Sequence, residues 1–269
     1  HSTGRMGVTA TALQFAVWKA LAHERFRGVV AVHAEREELR RPDAWDPEHP
    51  QSYADTRPPI AEVASVQTQL NLAEAAHFRG HLHFCHVSTG DTIRLVRAEA
   101  AGLPFGVSMG ATPHHLLLSR TVARRSRLPE WNVNPPLREE ADRLELWSSL
   151  LSGHIDWIES DHAPHTLADK RAGASGLPGI PGYRLLVKAL IGAGSCCPLD
   201  QDAGLPNTAL LDALTTGNVC RVFGLDPREL PDNPHSPLSR DPERDTSAER
   251  SLYEGLAKEY PQDPYRFLQ

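Results

Sequence analysis

The chain has 269 residues, 40% of them apolar and 23% charged, with a formal net charge of −6. That is enough sequence for one large core or two modest ones, in an ordinary globular composition. The mild acidity and the lack of a Lys/Arg run argue against nucleic acid as a partner, and no apolar run is long enough to span a membrane. The four cysteines, Cys85, Cys196, Cys197 and Cys220, show no CxxC spacing and no disulfide-scaffold density, which fits a reducing cytoplasm.

The opening residues, His1 to Gly7, read as a polar, glycine-rich loop. Thr9 is placed to cap a helix running to about residue 26, with Leu13, Val17, Ala20 and Leu21 on one face. The run Val29-Val30-Ala31-Val32 reads as a buried strand of parallel type, ending in His33-Ala34-Glu35. Residues 36–60 are charged and proline-rich, a long surface connection. A helix over about 60–78 follows, with Val63, Val66, Leu70 and Ala73 at helical spacing. His81-Leu82-His83-Phe84-Cys85 is the next strand and runs out into His86-Val87-Ser88-Thr89-Gly90. Ser88 or Thr89 can cap a helix over 91–101.

Residues 105–109 read as a further strand leading into Thr112-Pro113-His114-His115-Leu116. Residues 119–136 are irregular and contain Asn134-Pro135-Pro136. A helix carrying Leu144, Trp147 and Leu151 leads to an apolar run over 154–158, a short buried strand. It gives way to Glu159-Ser160-Asp161-His162-Ala163-Pro164-His165, where Pro164 cannot prolong the strand. A loop over 166–182 and helices over 183–193 and 208–223 follow. From Asp226 the sequence turns polar and proline-rich, with one amphipathic turn at 251–260. The expected organisation is a barrel region over 1–225 and an extended tail over 226–269.

Alternating strands and helices are the signature of a parallel α/β fold, and barrels of that class carry their chemistry at the strands' C-terminal ends. Here four successive strands end in His33, His86, the His114-His115 loop and Asp161. A carboxylate and several imidazoles at one end of a sheet make a poor core. They make a good metal or proton-transfer site. The pattern points to a metal-dependent hydrolase.

Five motifs also resemble a known family. His33-Ala34-Glu35, Cys85-His86-Val87-Ser88-Thr89, Thr112-Pro113-His114-His115-Leu116, Asn134-Pro135-Pro136-Leu137-Arg138 and Ser160-Asp161-His162-Ala163-Pro164-His165 are similar, in order and spacing, to those of the dihydroorotases of the amidohydrolase superfamily. Allantoinases tend to carry Cys and Tyr where this chain has His165 and His115. The resemblance implies a (β/α)8 TIM-type barrel with two zinc ions, bridged by hydroxide and usually by a carboxylated lysine. It implies His33 and His86 as metal ligands on the fifth and sixth strands, and Asp161 as a ligand on the eighth and the catalytic proton shuttle. Asn134 and His165 would bind the pyrimidine and its carboxylate, with main chain at Pro178-Gly179 completing the pocket. Ser2-Thr3-Gly4 is similar to the start of the mobile loop that follows the lysine strand.

The family's His-x-His pair, its substrate arginine and asparagine, and its lysine are expected upstream of His1. The chain is therefore expected to be the second half of a barrel, inactive alone. His81-Leu82-His83 is an HxH, but it lies in the strand that already supplies His86. The implied reaction is the reversible hydrolysis of dihydroorotate to N-carbamoyl-aspartate, in the cytoplasm, with a homodimer and aspartate transcarbamoylase as expected associations. The alternatives are a non-catalytic scaffold subunit for aspartate transcarbamoylase and an allantoinase- or hydantoinase-type enzyme.

Overall fold

The computed structural model describes residues 7–46, 48–121, 131–191 and 208–229. The elements alternate as α1 (Thr11–His23), β1 (Val29–Val32), α2 (Pro59–Ala75), β2 (His81–Phe84), α3 (Gly90–Glu99), β3 (Gly106–Ala111), the short α4 (Pro113–Leu117), α5 (Glu140–Leu151), β4 (Trp157–Ile158), the short α6 (Leu167–Arg171) and α7 (Gly179–Leu190). A last helical stretch runs through α8 (Thr208–Asp212), a π turn (Ala213–Gly217) and α9 (Asn218–Phe223), closed by Gly224 in the left-handed conformation that favours glycine.

The four strands pair in parallel in the order β1-β2-β3-β4. Val29 lies opposite His81, His81 opposite Gly106, and Gly110 opposite Trp157, so all four C-terminal ends share one edge of the sheet. This is an α/β sheet of the TIM-barrel class, four strands of it among the described residues. Alternation along β2 divides its two faces. Leu82 and Phe84 are fully buried in one core with Val66, Leu70, Phe78, Ile93 and Val96. His81 and His83 face the other way, where both rings meet Ser108 Oγ, at 2.7 and 2.8 Å. Among the described residues no helix is long and apolar enough to cross a membrane.

Local signals and structure part at several places. Thr9 does not cap α1; the N-cap is Ala10, with no side-chain cap bond. The expected apolar face of α1 is not its buried one: Leu13 is 60% and Val17 46% exposed. The helix is anchored by Trp18, whose indole N–H donates to Gln69 Oε1 at 2.9 Å. β1 is a half-exposed strand rather than a buried one, because it has only β2 beside it among the described residues. α3 begins as expected, with Thr89 Oγ1 accepting from Thr92 N at 3.2 Å.

β4 is shorter than the apolar run suggested. Pairing with β3 starts at Asp156, whose N–H donates to Met109 O at 2.9 Å and whose carboxylate accepts from Met109 N at 2.8 Å. The connection expected over 166–182 contains α6, which opens on a capping box between Thr166 and Asp169. α7 starts at Gly179, four residues early. The Ser2-Thr3-Gly4 loop, the end of the helix expected to reach 193 and the tail from 230 onward lie outside the described residues.

Candidate metal centre

His33 follows β1 directly. Its Nε2 lies 2.9 Å from Glu35 Oε2, which fixes the ring proton on that nitrogen, and its Nδ1 faces His86 Nε2 at 3.1 Å. Glu35 is held in turn by a short ion pair with Arg57, both side chains almost fully buried. Burial raises the Glu35 carboxyl, but the His33 hydrogen bond and the Arg57 charge outweigh it, so its pKa lies below the ordinary value.

His86 and Asp161 sit just beyond β2 and β4 with φ of 39° and 42°. Side chains with a Cβ rarely adopt that left-handed region unless the surroundings hold them there. Burial, helped by the neighbouring His33, lowers the His86 pKa and keeps the imidazole neutral. Burial raises the Asp161 carboxyl; His86 pulls it back and Glu159 pushes it up again. His114, in α4, is fully buried with its Nε2 3.9 Å from Asp161 Oδ2. Desolvation drives its pKa well down, so this is a neutral ring beside a carboxylate.

These residues fit a divalent cation on the chemistry of their donors. His33 offers a lone pair at Nδ1, with a carboxylate behind the other nitrogen, and faces a second imidazole nitrogen. Neither His86 Nδ1, nor either ring nitrogen of His114, nor Glu35 Oε1 has a hydrogen-bond partner among the described residues, though all are buried. Buried polar atoms are otherwise almost always paired.

The residues expected to hold substrate are arranged less uniformly. Asn134 is buried and its Oδ1 accepts from Tyr53 O–H at 2.7 Å. His165 Nε2 lies 3.0 Å from Ser175 O, so this ring is engaged by the 175–176 main chain. Pro178 is the N-cap of α7, and Gly179 packs on the strand-end loop: a Cβ there would stand 1.6 Å from Ser160 O. Ser160 precedes Asp161, so Gly179→Ala is expected to displace that turn. In the full-length protein, folded material with at least about tenfold lower turnover is the predicted outcome, tenfold corresponding to roughly 1.4 kcal/mol.

Two motifs turn out to brace the loops. Glu62 of α2 receives Ser88 N and Thr89 N at 3.0 and 3.2 Å. Arg138 donates to Ser88 Oγ at 2.9 Å and to Arg57 O at 2.6 Å. His115 Nδ1 meets Thr112 Oγ1 at 2.8 Å, and its Nε2–H donates to Pro135 O at 3.0 Å. Burial lowers the His115 pKa to about 3, against the pull of the Pro135 carbonyl. The unfolded ring titrates near 6.5, so below that pH the unfolded chain takes up protons that the folded one refuses. The neutral ring's contribution to stability is therefore complete above about pH 6.5 and lost as pH falls toward 3. Melting midpoints are expected to decline from pH 7 to pH 5, less steeply in His115→Gln.

Sequence reasoning assigned no role to Arg57, Tyr53 or Glu159. Arg57 and Tyr53 come from the charged connection, where no periodicity flags them. Glu159 makes a short hydrogen bond with His83, accepts from Trp157 Nε1 at 3.1 Å and from the His86 main-chain N–H at 2.8 Å. It crosses β3 at Gly110, where a Cβ would stand 2.3 Å from its carboxyl carbon. Cys85 lies close by, its thiol pushed up to about 12 by burial and by the carboxylates of Glu159 and Asp161.

The chain is 45% identical to the dihydroorotase of Pyrococcus horikoshii over 154 residues, 56% of this chain and 32% of that one. It is 38% identical to the dihydroorotase of Thermus aquaticus over 217 residues, 78% of this chain and 49% of that one. It thus spans between a third and a half of the length of these curated relatives. No family model matches. Among solved structures, the L-hydantoinase (dihydropyrimidinase) from Arthrobacter aurescens superposes with a TM-score of 0.67 at 24% identity, covering 83% of this chain and 49% of that one. The dihydroorotase of Saccharomyces cerevisiae in complex with 5-fluoroorotic acid gives 0.59 at 17% identity, covering 83% and 57%. The structural matches speak for the fold alone. In sequence the chain resembles the dihydroorotases of the amidohydrolase superfamily over part of their length.

Proposed function

We propose that the protein carrying this chain is a zinc-dependent dihydroorotase, hydrolysing dihydroorotate reversibly to N-carbamoyl-aspartate. The observation that carries this reading is the facing pair His33 and His86, 3.1 Å apart at the sheet edge that also bears Asp161. The sequence identity to dihydroorotases supports the choice of ring.

His33, His86 and Asp161 would hold the ion. Zinc bound there supplies Lewis acidity and water with a pKa of about 7. Glu35 keeps the His33 proton on Nε2 and burial keeps His86 neutral, so both rings retain lone pairs for the metal. Asp161 takes the proton of the attacking water and returns it to the ring nitrogen that leaves. Asn134 and His165 bind the pyrimidine and its carboxylate, with Pro178 and Gly179 main chain closing the pocket. The reading extends to a cytoplasmic homodimer, with aspartate transcarbamoylase as a partner.

The test is turnover of a panel of rings by the zinc-loaded full-length protein that carries this chain, with metal content measured in parallel. Dihydroorotate is expected to be hydrolysed in preference to hydantoin and allantoin. Preference for hydantoin would favour the class of the structural neighbours. No turnover by fully loaded protein would favour the scaffold reading.

A further inference from the structure

A second group of metal-ligating side chains lies on the inner face of the sheet. His83 and Cys85 are two residues apart on β2 and its exit, so they share a face. Glu159 reaches them from beyond β4, across the gap that Gly110 leaves in β3. One donor atom from each of the three lies within 4.8 Å of the other two.

We propose that His83, Cys85 and Glu159 form a thiolate-containing site for a borderline-soft divalent cation such as zinc, separate from the His33, His86 and Asp161 set. Imidazole, thiolate and carboxylate are the donors zinc takes in tetrahedral sites, and a thiolate disfavours magnesium and calcium. The surroundings are those of a supported site. The His83 ring is stacked on Trp157 with centroids 4.2 Å apart, and its Nδ1 lies 2.8 Å from Ser108 Oγ. Ser108 is thus placed as the outer partner that a metal-bound imidazole requires. Glu159 Oε2 is oriented by the His86 N–H at 2.8 Å. Cys85 and Glu159 are only partly buried, which leaves a way in for the ion and a fourth position for water.

In the ion-free state His83 Nε2 and Glu159 Oε1 bond directly to each other. Uptake replaces that hydrogen bond by two bonds to the cation. With Nε2 on the cation the His83 ring carries its proton on Nδ1, where Ser108 Oγ accepts it, and the Cys85 thiol proton is released to water. No oxidant or reductant is involved. The inference stands apart from the proposed hydrolase activity, because its signature is a metal–sulfur bond whatever the protein turns over.

The test is to titrate metal-free protein with Co²⁺ and follow the near-ultraviolet thiolate-to-cobalt charge-transfer band. The band is expected to grow with cobalt, to be absent in Cys85→Ser, and to persist in His33→Ala and Asp161→Asn. Ser108→Ala is expected to need about 10–100-fold more cobalt for half-saturation. A titration with no band overturns the proposal, and so does an undiminished band in Cys85→Ser, which would place the thiolate at Cys196, Cys197 or Cys220. Should Cys85→Ser lose its circular dichroism, Glu159→Gln decides, since it keeps the thiol: half-saturation shifted at least about tenfold supports the site, and an unchanged titration overturns it.

Discussion

On the proposed function, Asp161→Asn in the full-length enzyme is expected to keep the fold and to lose roughly 10²–10⁴-fold in turnover, the usual contribution of a positioned acid–base group. The amide matches the carboxylate in size, so the left-handed turn at this position need not move. Asn and Asp are also the residues that best tolerate such a φ. What the amide lacks is a basic oxygen that can take a proton from water and give it to the departing nitrogen. Steady-state rates on dihydroorotate, circular dichroism and zinc content together check this. Near-normal turnover with unchanged zinc would mean that the proton travels by another residue, with His114, 3.9 Å away, the first to examine.

Arg57→Ala is expected to lower the unfolding free energy by about 3–5 kcal/mol, the cost of stripping one partner from a buried ion pair. The side chains of Arg57 and Glu35 are 4% and 2% exposed, so water cannot replace the lost guanidinium. Glu35 would be left with His33 alone, and a carboxylate free to turn would no longer hold the His33 ring with Nδ1 toward His86. Stability and metal affinity should therefore fall together. A urea midpoint series provides the measurement, with Arg40→Ala as reference: its ion pair with Glu37 is solvent-facing, and its loss should cost about 0.5 kcal/mol or less. Equal shifts in the two variants would show that Arg57 packs without bearing on the charge of Glu35.

How far the sequence could be read follows from which forces are local. Strand periodicity and turn chemistry are local, so β2, the cap at Thr89 and the strand-end positions of His33, His86 and Asp161 were all legible. Which face of α1 is buried depends on a distant helix: Gln69 of α2 takes the Trp18 indole, and Leu13 and Val17 are left to solvent. Arg57 was hidden for the same reason, since its partner is 22 residues away across irregular chain. The motif around Arg138 was visible as a motif, while its hold on Ser88 and on the Arg57 carbonyl depends on three loops meeting.

Gly110 and Glu159 constrain each other's history. The Glu159 carboxylate is pinned by His83, Trp157 and the His86 main chain, so it cannot swing aside for a neighbour's methyl group. Its seat overlaps the space of any side chain at 110, with the carboxyl carbon 2.3 Å from a Cβ there. Related chains that carry a larger residue at the position of Gly110 should therefore carry a small one at the position of Glu159, and the two sites should covary. Mutational paths between the two states are ordered as well. Glycine must arrive at 110 before glutamate can be accepted at 159, and once the glutamate is in place reversion at 110 is closed.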